Sequence, residues 1–142
     1  MRDVNTNKDD FKSILHTFNL ITNEWNIPKT NGIEPIRRRQ MSGVFNNETG
    51  KFYIFGGATD KLTGSQNTII FNDMNIFDIV SLTWSKSSII NAPLPRVDYT
   101  ATLLSNGIIV FIGGRERLVA NTPWPDVDMS QVNRHVPFIK KS

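Results

Sequence analysis

The chain contains no cysteine. That removes disulfide frameworks and thiolate metal sites, and it fits a reducing compartment. Histidine is nearly as scarce: His16 and His135 stand far apart in sequence, and His16 falls in a segment alternating apolar and polar residues. A strand histidine is expected there rather than a metal ligand, because metal sites need several clustered ligands. Asp126 and Asp128 lack further oxygen ligands at regular spacing and read as a solvated loop. No apolar run is long enough to span a bilayer, and residues 1–10 are polar and charged with no leader-like apolar stretch. These absences point to a cytoplasmic chain by default, with no cofactor, no metal and no membrane partner.

Catalytic patterns are missing too. The pairs Gly56-Gly57 and Gly113-Gly114 are not followed by the Gly-Lys-Ser/Thr or Gly-x-x-Gly continuation of a phosphate cradle, and no helical pattern follows them. No hydroxyl, Ser13 and Ser42 included, sits in a nucleophile elbow or beside a base. The sequence is therefore expected not to encode an enzyme.

What is present is repetition. Lys51-Phe52-Tyr53-Ile54-Phe55 runs into Gly56-Gly57, and Ile108-Ile109-Val110-Phe111-Ile112 runs into Gly113-Gly114 57 residues later. Each is a short apolar run of β-branched and aromatic residues stopping where the backbone needs conformational freedom or close approach. Upstream, Pro35, Ile36, Arg38 and Ser42 recur 58 residues on as Pro93, Leu94, Arg96 and Thr100. A polar turn separates each such segment from its glycine run, so the pairs predict β-hairpins. A second repeated pair ends at tryptophan: Phe18-Asn19 with Trp25 matches Phe77-Asp78 with Trp84 at an offset of 59. The Asn or Asp precedes Trp by six residues in both and is placed to set a turn, leaving Trp to fill space between sheets. The unit has four strands: one hairpin ending in Gly-Gly and one ending in Trp.

Net charge is +3 with a pI near 9.4, and Arg37-Arg38-Arg39 and Lys140-Lys141 are compact basic runs. Such runs can touch phosphates or an acidic surface. Here they lack interleaved aromatics for base stacking, and Arg38 recurs as Arg96, so repeat structure is the expected role and nucleic acid is not an expected partner. Asn47-Glu48-Thr49 matches a glycosylation acceptor, relevant only to a secreted chain.

Double glycine after an apolar strand, then Asp78 and Trp84, then Pro95-Arg96 opening another unit, resembles the kelch repeat of β-propellers, including galactose-oxidase-like kelch proteins. The resemblance covers roughly residues 12–114 and implies an all-β, incomplete kelch-type propeller: one four-stranded antiparallel blade between two half blades. It implies Arg38, Gly56, Gly57, Asp78, Trp25, Trp84, Arg96, Gly113 and Gly114 as repeat-signature residues. The expected division is a polar tail over 1–11 and a partial propeller over 12–125, with half blades at 12–30 and 93–114 around a full blade at 36–88. A non-repeat tail would follow over 126–142. Copper-radical oxidase chemistry of the galactose oxidase kind needs a Tyr–Cys crosslink and is excluded without cysteine. A non-catalytic interaction scaffold, as a fragment or truncated relative of a larger propeller, is the implied function. The alternative is part of a propeller enzyme or carbohydrate-binding protein whose active residues lie elsewhere. Partners would be proteins meeting the loops at 28–37, 58–71 and 115–125, and open blade edges would allow self-association.

Overall fold

The computed structural model describes residues 13–116 and the backbone of 133–135. Apart from one short 3-10 turn, the regular elements in that span are β-strands. Strands β1 (Thr17–Asn19) and β2 (Glu24–Asn26) form a hairpin with Phe18 opposite Trp25. Next come β3 (Gly43–Asn46), β4 (Lys51–Phe55), β5 (Ala58–Thr59), β6 (Ile69–Ile70), β7 (Met74–Asp78) and β8 (Thr83–Lys86). Of these, β3, β4, β7 and β8 make one four-stranded antiparallel sheet in that order, while β5 and β6 form a small ribbon between its halves. After β9 (Arg96–Val97) the chain continues through β10 (Thr100–Leu103), β11 (Ile109–Ile112) and β12 (Arg115–Glu116), with β9 and β12 paired.

Strands β10 and β11 pair antiparallel and begin a further sheet. Strand β13 (Asn133–His135) lies within the range read as a tail outside the repeat, yet it pairs antiparallel with β11. Backbone hydrogen bonds make that pairing, so the segment needs no apolar run to be a strand. Its signal was faint: Asn133 follows Asn75 by 58 residues, and each stands opposite the matching residue of the glycine-terminated strand, Phe111 and Ile54. The loop expected at Asp126 and Asp128 and the tail at 1–11 lie outside the described residues.

Local chemistry explains the hairpins. Asn46 Oδ1 accepts from the backbone N–H groups of Glu48 (2.9 Å) and Thr49 (3.2 Å), closing the turn between β3 and β4. Asn19 Oδ1 accepts from Ile21 and Thr22, and Asp78 Oδ1 from Val80 and Ser81, so both residues build the same side-chain-capped turn.

The pleat then sorts the apolar residues to two sides of the complete sheet. Tyr53 and Phe55 from β4 join Val44 and Met74 to pack on Tyr99, Ile109 and Phe111 of the next sheet. Phe55 and Phe111 have ring centroids 5.1 Å apart, and Tyr99 stands edge-on to Phe111 at 5.5 Å. On the opposite side, Ile54, Phe77 and Trp84 form a second cluster with Ile14, Leu15, Phe52 and Leu82 against it. Each large side chain withdrawn from water contributes about 1.5–3 kcal/mol, so these two clusters dominate the stability of the sheets.

Candidate interaction face

The double glycines are where one sheet is stitched to the next. Gly56 and Gly57 have φ values of 61° and 83°, in the left-handed region that glycine adopts without steric cost. The Gly56 N–H donates to the Asp73 carbonyl at 3.0 Å, and the Gly57 N–H donates across to the Arg96 carbonyl at 2.9 Å. A Cβ on Gly56 would fall 2.7 Å from that same Arg96 carbonyl oxygen, so the close approach itself demands glycine. Gly113 and Gly114, at φ 68° and 93°, repeat the bend, and a Cβ on Gly114 would lie 2.5 Å from the Val97 carbonyl oxygen.

A buried arginine locks each bend. Arg38 donates through Nη1 to the Gly56 carbonyl at 2.9 Å and through Nε to the Ile36 carbonyl at 3.1 Å, pairs with Asp73, and lies 3.9 Å above the Phe71 ring. Arg96 reaches the matching Gly113 carbonyl at 3.4 Å and pairs with Glu116, its side chain wholly enclosed. The glycine carbonyl target is common to both copies, whereas the carboxylate partner is not. Burial works against ionisation of Asp73, yet the hydrogen bond and charge of Arg38 hold its carboxyl below the ordinary value.

Directly beside these locks a row of polar side chains emerges just ahead of β3 and β10. Arg39 exchanges backbone hydrogen bonds with Ala58 at 2.9 and 3.0 Å, and its exposed guanidinium meets Asp60. Asp60 also caps the 3-10 turn at Lys61–Thr63, accepting from Leu62 while Thr63 reciprocates to its backbone N–H. The Arg39 hydrogen bond holds the Asp60 carboxyl below its usual value. In the next repeat the row continues: Gln40 Nε2 donates to Asp98 Oδ2 at 3.0 Å, the Asp98 N–H donates to the Gln40 carbonyl at 3.0 Å, and Arg115 pairs with Asp98. Gln40 and Asp98 both adopt positive φ, 61° and 55°, 58 residues apart. That left-handed step re-aims the chain and sets the row outside the sheets.

Several residues land differently from their sequence pattern. Trp84 is buried at 5% exposure against Phe77 at 4%, their centroids 4.6 Å apart, whereas Trp25 is 67% exposed and its partner Phe18 41%. Phe18 and Trp25 still stack at 5.0 Å, so the hairpin is built alike but left uncovered. Arg37, Arg38 and Arg39 are divided: Arg38 is interior, Arg39 joins the polar row, and Arg37 lines a cleft of about 310 Å³ walled by Ile14, Leu15, Ile36, Phe52 and Trp84. The loop over 58–71 is a capped ribbon, not a free loop, and the loop over 28–37 is tied at Asn31, which exchanges bonds of 2.9 Å with Leu82 and Trp84 of the β8 edge. His16 is exposed just before β1. Among the described residues no three His, Asp or Glu side chains gather as a metal site, and no helix is long and apolar enough to cross a membrane. The polar row leaves little trace in the sequence because Gln40 and Asp98, 58 residues apart, differ in residue type, and Arg115 matches the apolar Ala58 at an offset of 57.

Antiparallel sheets repeated along the chain, each passing to the next through a double-glycine bend clamped by an interior arginine, define a blade-repeat protein of the β-propeller class. The model of the KLHDC2/KLHL20/DRC7 Kelch-repeats domain matches residues 4–134, and the chain belongs to the kelch-repeat family. It is 35% identical to Homo sapiens Host cell factor 1 over 94 residues, covering 63% of this chain and 4% of that protein. It is 30% identical to Oryza sativa subsp. japonica Acyl-CoA-binding domain-containing protein 6 over 108 residues, covering 75% of this chain and 15% of that protein. Drosophila melanogaster Host cell factor is 32% identical over 103 residues, covering 69% of this chain and 6% of that protein. The chain thus corresponds to a small portion of each of these relatives.

Proposed function

We propose that this kelch-repeat chain is a non-catalytic protein-interaction scaffold, and that the row Asp60, Arg39, Gln40, Asp98 and Arg115 is its contact face. The observation that carries the reading is the combination of solvent-reachable charges with a hydrogen-bonded backbone: Arg39 and Asp98 are exposed, yet their backbones are bonded to Ala58 and Gln40, next to the buried Arg38 and two residues from the buried Arg96. Exposed ion pairs contribute little to stability, so a partner can exchange them for its own charges at small cost. The exposed apolar side chains Leu62 and Ile69 on the adjoining ribbon supply the uncharged contact that a protein interface needs beside a polar rim.

The test is crosslinking mass spectrometry of partners captured on the wild-type chain and on an Arg39→Glu/Asp98→Lys variant. Partners should crosslink to the ribbon at 58–71 and be lost from the variant, whose melting temperature should stay near that of wild type. Crosslinks confined to other surfaces, with capture unchanged, would overturn the reading. The alternative, part of a larger propeller enzyme or carbohydrate-binding protein, predicts glycan binding that is indifferent to both substitutions. Self-association through sheet edges is a second reading, favoured by the uncovered Phe18–Trp25 hairpin.

A further inference from the structure

Three segments of this chain match the same position in a blade. Strand β7 occupies the third position of the complete sheet, where Phe52 faces Phe77, Tyr53 faces Ile76 and Ile54 faces Asn75. By its pairing with β11, β13 holds that third position in the following sheet, with Ile109, Val110 and Phe111 facing His135, Arg134 and Asn133. By the offset of 59, β1 is also a third strand: Phe18 matches Phe77, and its partner Trp25 in β2 matches Trp84. Among the described residues β1 and β2 form a two-stranded sheet, and their aromatic pair is exposed where the matching pair is interior. The described residues thus hold a three-stranded sheet whose third strand is the polar Asn-Arg-His, and separately a hairpin whose aromatic pair is exposed.

We infer that the hairpin β1–β2 of one copy adds to the β11 edge of a second copy, displacing β13 and completing a four-stranded blade from two chains. The occupant is fixed by register. Equating β11 with β4 and β1 with β7 sets Thr17 opposite Val110 and Phe18 opposite Ile109, the places held by Ile76 with Tyr53 and Phe77 with Phe52 in the complete blade. Strand addition supplies the backbone bonds, and burial of Phe18 and Trp25 supplies the free energy that a polar three-residue strand does not. In this arrangement β13 guards an edge that would otherwise pair freely. The contact is head to tail, so each copy donates one hairpin and accepts another, and assembly grows with concentration unless it closes into a ring. The inference rests on the blade reading and is independent of the polar row as a partner face.

The absence of cysteine makes the register directly testable in the full chain. Facing residues of paired strands are close enough for a disulfide, so a Thr17→Cys variant mixed with a Val110→Cys variant should give an oxidised heterodimer whose yield rises with concentration. A Lys61→Cys control in place of Thr17→Cys should not. The Phe18→Ser/Trp25→Ser variant should weaken self-association in light scattering by about tenfold or more, since two aromatic side chains contribute more than one decade of affinity. Both residues are exposed in the free chain, so its melting temperature should hold. Arg134→Pro, which disrupts β13, should raise the crosslinked yield. A monomer at every concentration, crosslinking equal to the control, or a yield lowered by Arg134→Pro would each overturn the proposal.

Discussion

Arg96 shows most directly how a single side chain joins sequence to fold. Its side chain is enclosed, it holds the Gly113 carbonyl and Glu116, and its own carbonyl receives the Gly57 N–H. Removing one member of a buried, hydrogen-bonded ion pair costs about 3–5 kcal/mol, because the partner is left without its counter-charge. Arg96→Ala should therefore lower the denaturation midpoint by that order in urea melts, and Arg96→Glu by more. Tyr99 is a second such residue: its hydroxyl donates to the Ser42 carbonyl at 3.2 Å and to the Phe55 carbonyl, joining the complete sheet to the next one. Burial pushes its phenol up to about 12 from the ordinary 10.0. The folded form therefore keeps a proton that the unfolded chain releases. Its contribution is fully present below pH 10 and is lost as pH rises from there through about 12. Alkaline unfolding followed by circular dichroism should show that loss for wild type and a flatter profile for Tyr99→Phe.

At the scale of elements, the hairpins were legible and their surroundings were not. An apolar run stopping at Gly56-Gly57 and an Asx six residues before Trp84 carry their own local physics, and both appear as strands and side-chain-capped turns. The ribbon β5–β6 has no periodic signal because it rests on the Arg39–Ala58 pairing and the Arg39–Asp60 ion pair, the latter spanning 21 residues. Likewise, Trp25 and Trp84 share one sequence pattern but differ in what covers them, which no local pattern encodes. Trp84→Ala should accordingly cost about 3–5 kcal/mol in a denaturant melt, while Trp25→Ala should stay within about 0.5 kcal/mol for the dilute chain.

Across the whole molecule, the repeat made the all-β class and the kelch family readable, since offsets of 57–59 recur in three separate features. The polar row is less readable because its charges are chosen by neighbours distant in sequence, as Asp98 is by Gln40 of the preceding repeat and Arg115 of its own. Carboxylates give the molecule a common acid response. Asp60, Asp73 and Asp78 are all held below their ordinary values, by Arg39, by Arg38 against the pull of burial, and by the Ser81 N–H respectively. The folded chain then binds fewer protons than the unfolded one, so stability is present above the ordinary carboxylate range and lost as pH falls through it. Thermal melts from pH 7 to pH 3 should show a falling midpoint, with the slope reduced in Asp73→Asn relative to its own value at pH 7.

The bonds at Gly57 and Tyr99 run between sheets rather than within them. A transplant of residues 43–86 alone would carry a whole sheet and yet abandon both arginine clamps and the tyrosine bridge. The portable unit is staggered: cut before Ile36 and after Tyr99, it takes its clasp along, so successive modules overlap as roof tiles do and do not abut like bricks.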